Sequence, residues 1–184
     1  MLGILGVGNG GYDAYTWACE YHDEIEFLMV GNSSYKTNNY RYITSKALDN
    51  LIVSSDAYSD ENYSEQLSQL MFSINSLIYS QYFSKRSFEN FTREELDLDM
   101  DTFVEESSNV DIYDFKYRNN AVLNYNLEDK LSNIKAKTLV AISSDDIYYT
   151  PEFDAYPLKD KIENLEIYIF DAQDFVYLNS ERIL

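Results

Sequence analysis

Glycine is concentrated at one place in this 184-residue chain: five of its six glycines fall within Gly3-Ile-Leu-Gly-Val-Gly-Asn-Gly-Gly11. A short apolar run, Leu2 to Leu5, leads into the cluster, and Ala14, Trp17, Ala18 and Tyr21 follow it. Glycine tolerates positive φ and close backbone approach, so the pattern predicts a strand, a tight turn and a helix in succession. Such a junction aims the unpaired N–H groups of a helix N-terminus at whatever lies above the sheet.

Two chemistries use that geometry. Gly6-Val-Gly8-Asn-Gly-Gly11 satisfies the G-x-G-x-x-G fingerprint of dinucleotide binding. That fingerprint also wants an acidic residue closing the second strand, to hold the ribose hydroxyls. Here the second strand, Glu26 to Val30, runs into Gly31-Asn32 instead. The same stretch has the frame of a nucleophile elbow, G-x-S-x-G, in which a strained turn lifts a serine above the sheet. Gly6-Val-Gly8-Asn-Gly10 fits that frame with Gly8 at the serine position. Each pattern lacks one functional residue, and the rest of the chain must arbitrate.

A formal charge of -18, from 32 acidic against 14 basic residues, argues against nucleic acid and anionic membrane surfaces as partners. The length suits one domain, and 45% hydrophobic with 16% aromatic residues predicts a packed globule. Cys19 stands alone and cannot form an internal disulfide, which fits a reducing compartment. There is no basic-plus-apolar leader and no apolar run approaching about 18 residues, so neither a signal peptide nor a membrane span is expected. A cytoplasmic location is the expectation.

Strand and helix alternate at both ends of the chain, and the middle reads as helical. Glu26 to Val30 has the short unbroken apolar character of a buried parallel strand. Residues 35–53 read as a helix, 54–63 as a polar loop, and 64–83 as an amphipathic helix carrying Leu67, Leu70, Met71, Ile74, Leu77 and Ile78. Thr92 with Glu95 forms a capping box at the head of the next helix, and a further helical stretch covers 110–125. Thr138 to Ile142 and Glu166 to Phe170 read as strands, with a helix predicted over 152–162 between them. The expected arrangement is a single α/β domain. Residues 1–53 and 131–184 would form the sheet, and 54–130 a helical insertion. A run of helices after the second strand weakens the dinucleotide reading, since a nucleotide domain would continue with another strand–helix unit.

Three downstream segments carry a resemblance: Asp111-Ile-Tyr-Asp-Phe-Lys-Tyr117, then Asn124-Tyr-Asn through Lys137-Thr-Leu-Val140, then Ser143-Ser-Asp-Asp through Thr150-Pro-Glu152. With Gly10-Gly11, Trp17-Ala18 and Tyr21-His-Asp23 at the start, they resemble the homoserine O-acetyltransferase family of the α/β-hydrolases over nearly the whole chain. The resemblance implies a partial α/β-hydrolase fold, a small parallel sheet with a helical lid insertion. It also implies acyl-transfer chemistry, in which a serine attacks an acyl-CoA, a histidine moves the proton and an acid orients the histidine. The family activity is acyl-CoA-dependent O-acyl transfer or ester hydrolysis.

Carried over position by position, Gly8 occupies the nucleophile position without a nucleophilic atom. Asn9 supplies the backbone N–H of the oxyanion hole, and Asp146 occupies the acid position, with Asp145 the alternative one residue earlier. The histidine is expected in the 171–177 step, and Asp171-Ala-Gln-Asp-Phe-Val-Tyr177 contains none. The single histidine, His22, is expected at the far end of the elbow helix. The second oxyanion donor comes from a loop after an earlier strand, and with Met1 directly before the elbow strand that loop is not expected here. The sequence therefore predicts a homologue without turnover, acting as a binding or assembly subunit. The alternatives are an acyltransferase or esterase completed by a companion chain, and a dinucleotide-binding protein.

No cofactor or metal is expected. Asp97-Leu-Asp-Leu-Asp101 opens like a calcium loop, but Thr102 and Ser108 stand where the glycine and the bidentate glutamate are needed, so an acidic helix face is expected instead. Acyl-CoA or a small acyl ligand is the expected small-molecule partner. The Leu2–Leu5 strand is expected to be a sheet edge, inviting a second copy or a companion subunit.

Overall fold

The computed structural model describes residues 2–58, 65–107 and 109–171, which form two compact units. The first takes in residues 1–38 and 125–184, the second Asn39–Asn124. The helical unit therefore begins at Asn39, where the sequence placed its start at 54.

Four parallel strands make the sheet of the first unit: β1 (Leu2–Val7), β2 (Ile25–Gly31), β3 (Lys137–Ser143) and β4 (Leu165–Phe170), in that spatial order. Helix α1 (Asn9–Glu20) joins β1 to β2. Successive parallel strands with right-handed crossovers put their connections on one side of the sheet. The packing follows that rule. Ile4, Leu28, Val30, Val140, Ile142, Ile167 and Ile169 face a core completed by Ala14, Tyr15, Ala18, Leu131, Ala155 and Leu158.

The opposite face is open among the described residues. Register sets Leu5 beside Met29 and Leu139, and Gly3 beside Phe27. Leu5 is 66% exposed, Val7 53%, Phe27 41%, Met29 42% and Tyr168 57%. The sequence reads Glu26 to Val30 as a buried strand. It is central in the sheet, yet only its Leu28 and Val30 side is covered.

Between β3 and β4 the sequence predicted a regular helix over 152–162. The chain instead makes a wide helical turn over Pro151–Ala155 and a 3-10 turn over Tyr156–Asp160. Pro157 has no N–H to donate four residues back, so the α-helical ladder cannot pass through it.

The second unit holds α2 (Asn39–Val53), α3 (Glu65–Tyr79), the single turn α4 (Lys85–Phe88), α5 (Arg93–Ser107) and α6 (Ile112–Leu123). Leu48, Ile52, Leu67, Leu70, Met71, Ile74 and Ile112 form its core. α2 lies on α6, where the Asn119 amide donates to the Ser45 carbonyl at 2.8 Å. α3 lies on α5 through a cluster of Tyr79, Phe83, Phe88 and Phe103 rings. The capping box is made in both directions: Thr92 N–H donates to Glu95 at 2.8 Å and Glu95 N–H to Thr92 Oγ1 at 3.2 Å. The Asp97–Asp101 segment lies within α5, and Asp99 accepts from the Tyr79 hydroxyl at 2.8 Å. It is a helix face, as expected. No described helix is long and apolar enough to cross a membrane.

Candidate functional site

The β1–α1 junction is built by backbone contact. Gly8 sits between the two elements with φ 56° and ψ −124°, a conformation that L side chains rarely adopt. Its N–H is shared between the Gly31 and Asn32 carbonyls, at 3.0 and 3.1 Å. Its carbonyl accepts from Ser33 Oγ at 2.6 Å and from Gly11 N–H at 3.0 Å. Gly11 leaves the space that Ser33 fills, since a Cβ there would overlap Ser33. Gly6 has the same reason to lack a side chain: its Cβ would overlap the Gly10 carbonyl and lie 2.7 Å from Ala14 Cβ. Gly8 differs from both. A Cβ at Gly8 would meet nothing within 4 Å, so the turn directs that position into open space.

Asn9 opens α1, placing its N–H at the helix start beside Gly8. Asp146 follows β3, so all three residues lie beyond the carboxyl ends of parallel strands, where sites in such sheets form. β2 separates β1 from β3, which sets the two halves of the site roughly 10 Å apart by strand spacing. Gly8 and Asp146 share one rim of the sheet.

The Asp146 carboxylate closes its own turn, accepting from the Tyr148 and Tyr149 N–H groups at 2.8 and 2.9 Å. Burial raises its carboxyl above the ordinary carboxylate range, opposed by those two backbone donors. Asp145 is placed differently, with its N–H on Ser143 Oγ at 3.3 Å. Asp154, which no sequence motif singles out, lies in the same loop system with no exposed surface. Burial pushes its carboxyl up to about 6. No local pattern marks it, because Asn38, which donates to it, is 116 positions away.

His22 falls outside this arrangement. It follows α1, with Nδ1 3.2 Å from the Cys19 carbonyl and Nε2 3.6 Å from Asp23. Twelve helical residues put it roughly 18 Å from Gly8. The step expected to carry a histidine lies, apart from Asp171, outside the described residues. Cys19 is buried in the core, and burial pushes its thiol up to about 11, away from nucleophilic use. No group of three or more potential metal-ligating side chains occurs among the described residues.

The dinucleotide reading finds no support in this geometry. A nucleotide crevice forms where strand order reverses, and the described order β1-β2-β3-β4 never does. Asn32, at the end of the second strand, commits its side chain to the sheet, accepting from Ser143 N–H at 2.8 Å.

A parallel sheet with a positive-φ turn into its first helix, an acid after the third strand and a helical insertion after the second is a partial α/β-hydrolase fold. Solved structures share that fold. The chain superposes on a homoserine O-acetyltransferase from Bacillus anthracis with a TM-score of 0.77 at 17% identity, covering 92% of this chain and 53% of that one. An acetylester hydrolase from Corynebacterium glutamicum gives 0.77 at 15% identity, with the same coverage. Among curated proteins, a probable acyltransferase from Methanothermobacter thermautotrophicus is 29% identical over 173 residues, which is 94% of this chain and 53% of that protein. The chain thus spans about half the length of the relatives it matches. No family model matches it. The resemblance to homoserine O-acetyltransferases read from the sequence holds at the level of the fold.

Proposed function

We propose that this chain is a homoserine O-acetyltransferase-like α/β-hydrolase homologue that does not turn over substrate by the family's serine mechanism and serves as a binding or assembly subunit. One observation carries the reading. Gly8 holds a strained turn that points its missing side chain into open space, and this reading takes that place for the nucleophile's. The conformation is kept and the reacting atom is absent. A serine needs its base and orienting acid to act as a unit, and here the nucleophile is missing from that unit.

What remains is suited to holding an acyl group. Asn9 N–H lies at the start of α1, and Asp146 occupies the acid position on the same rim. Acyl-CoA or a small acyl ester is the ligand class this reading names, and a cytoplasmic location fits the single buried Cys19. The test is an acetyl-transfer assay with acetyl-CoA and homoserine, run beside calorimetric titration of acetyl-CoA. Binding without transfer is expected. Transfer at a rate above the heat-denatured control overturns the non-catalytic reading.

A second reading is favoured by the open sheet face. Leu5, Val7, Phe27 and Met29 leave an exposed apolar surface on β1 and β2, and β1 is an edge among the described strands. Parallel sheets are covered on both faces, so further polypeptide would pack here. In that reading the chain is a homo-oligomer or works with a companion subunit, which could also supply the missing groups of an active acyltransferase or esterase. Light scattering and a pull-down check it: a monodisperse monomer that captures no partner would rule it out.

A further inference from the structure

Asp154 lies beneath the Asp146 turn and ties that turn to the loop that follows β2. Its Oδ2 accepts from Thr150 N–H at 2.8 Å and from the Asn38 amide at 3.2 Å. The same Asn38 amide donates to the Tyr148 carbonyl at 2.8 Å. Tyr148 N–H in turn donates to Asp146 Oδ1. Both backbone polar groups of Tyr148 are thereby held, one by Asp146 and the other by the amide that Asp154 receives. Ser34, also buried, fixes the neighbouring backbone by donating to the Lys36 carbonyl at 2.6 Å.

We propose that Asp154 is a positioning residue for Asp146, acting through Asn38 and the Tyr148 backbone to fix how Asp146 sits on the rim. The proposal rests on the reading that Asp146 keeps the acid position. A carboxylate with no exposed surface is costly to bury, and one that only filled space would be better replaced by an apolar side chain. Here each donor that reaches it belongs to a loop that frames the site. The charged group facing it is Asp146, from its own loop system, while the phenols of Tyr15 on α1 and Tyr35 in the loop after β2 lie around it. Two neighbouring carboxylates disfavour each other's charge, so Asp146 adds to the burial that holds Asp154 at about 6.

The test is a carboxyl-carbon NMR titration of the wild type and of Asp146→Asn, with amide exchange measured at Tyr148 and Tyr149. Asp154 should titrate near 6 in the wild type and lower in Asp146→Asn, a response that a purely structural carboxylate distant from Asp146 would not give. Asp154→Asn should speed exchange at the Tyr148 and Tyr149 amides roughly tenfold, the size expected for a lost hydrogen bond, while β3 amides stay protected. Asn38→Ala should do the same with Asp154 in place, which decides the matter if Asp154→Asn fails to fold. An Asp154 midpoint indifferent to Asp146→Asn, or exchange unchanged in the variants, overturns the proposal. Acyl transfer by the wild type would instead overturn the non-catalytic reading and leave the Asp154 clamp standing.

Discussion

The two units of this chain are held by different physics. In the sheet unit the core is nearly continuous, with Tyr15, Leu28, Val30, Leu131, Val140, Ile142 and Leu158 each essentially without exposed surface. Its strand–helix junction also depends on backbones approaching where no Cβ fits. The helical unit is built from one-sided stripes, caps and ring contacts. α5 buries Val104 alone, and Phe72, Leu77, Tyr82, Leu98 and Tyr117 are exposed. The lesson is that the sheet unit's junction admits no added atom, while the helical unit depends on the few side chains that its stripes bury.

Substitutions that add one atom group should therefore separate the two. Gly6→Val in the sheet unit forces a side chain into the Gly10 carbonyl and Ala14, and should cost more than about 3 kcal/mol in urea denaturation, or abolish folding. If Gly6→Val is tolerated, the close approach does not hold the junction. In the helical unit Ile74→Ala empties a fully buried site and should cost about 3 kcal/mol. Leu98→Ala, 71% exposed on α5, should leave the urea midpoint where it is.

Acid titration sharpens the contrast further. The folded-state carboxyl of Asp154 stands at about 6 against an ordinary 3.8, so the folded chain holds a proton that the unfolded chain has released between those values. The stability this contributes is fully present below pH 3.8 and is lost as pH rises through about 6. The loss is of order 3 kcal/mol, at about 1.4 kcal/mol per pH unit. Asp154→Asn should remove that slope from the difference between the two stability curves measured from pH 4 to 7. Parallel curves for wild type and variant would contradict it.

Three smaller effects complete the series. Gly8→Ala meets no neighbour and bears only the backbone cost of its positive φ, about 1–2 kcal/mol, well short of Gly6→Val. Thr92→Ala, which breaks the capping box of α5, should cost about 1 kcal/mol, read from the same denaturation curves. Lys135→Ala, which removes the exposed Asp23 pair, should give no measurable change.

What the sequence revealed and what it hid divide along the same physical line. The glycine turn, the four strands, the amphipathic α3 and the Thr92–Glu95 box are written in adjacent residues, and each was legible. The region after Asp146 was not, because Pro157 breaks a helix that the surrounding residues otherwise favour. The one-sided burial of β2 was hidden as well, since an apolar run looks alike whether one face or two is covered. Asp154 escaped for a third reason: its meaning depends on Asn38, brought alongside only by the fold. That Gly8 and Asp146 lie on one rim of the sheet became visible only with the strand order.

The central claim is an intact elbow around an absent nucleophile, and burst kinetics with p-nitrophenyl acetate test it most directly. The expected result is a linear trace with neither an initial burst nor a rate above buffer. A burst of p-nitrophenol stoichiometric with protein would show a nucleophile acylated by the ester and would contradict the account.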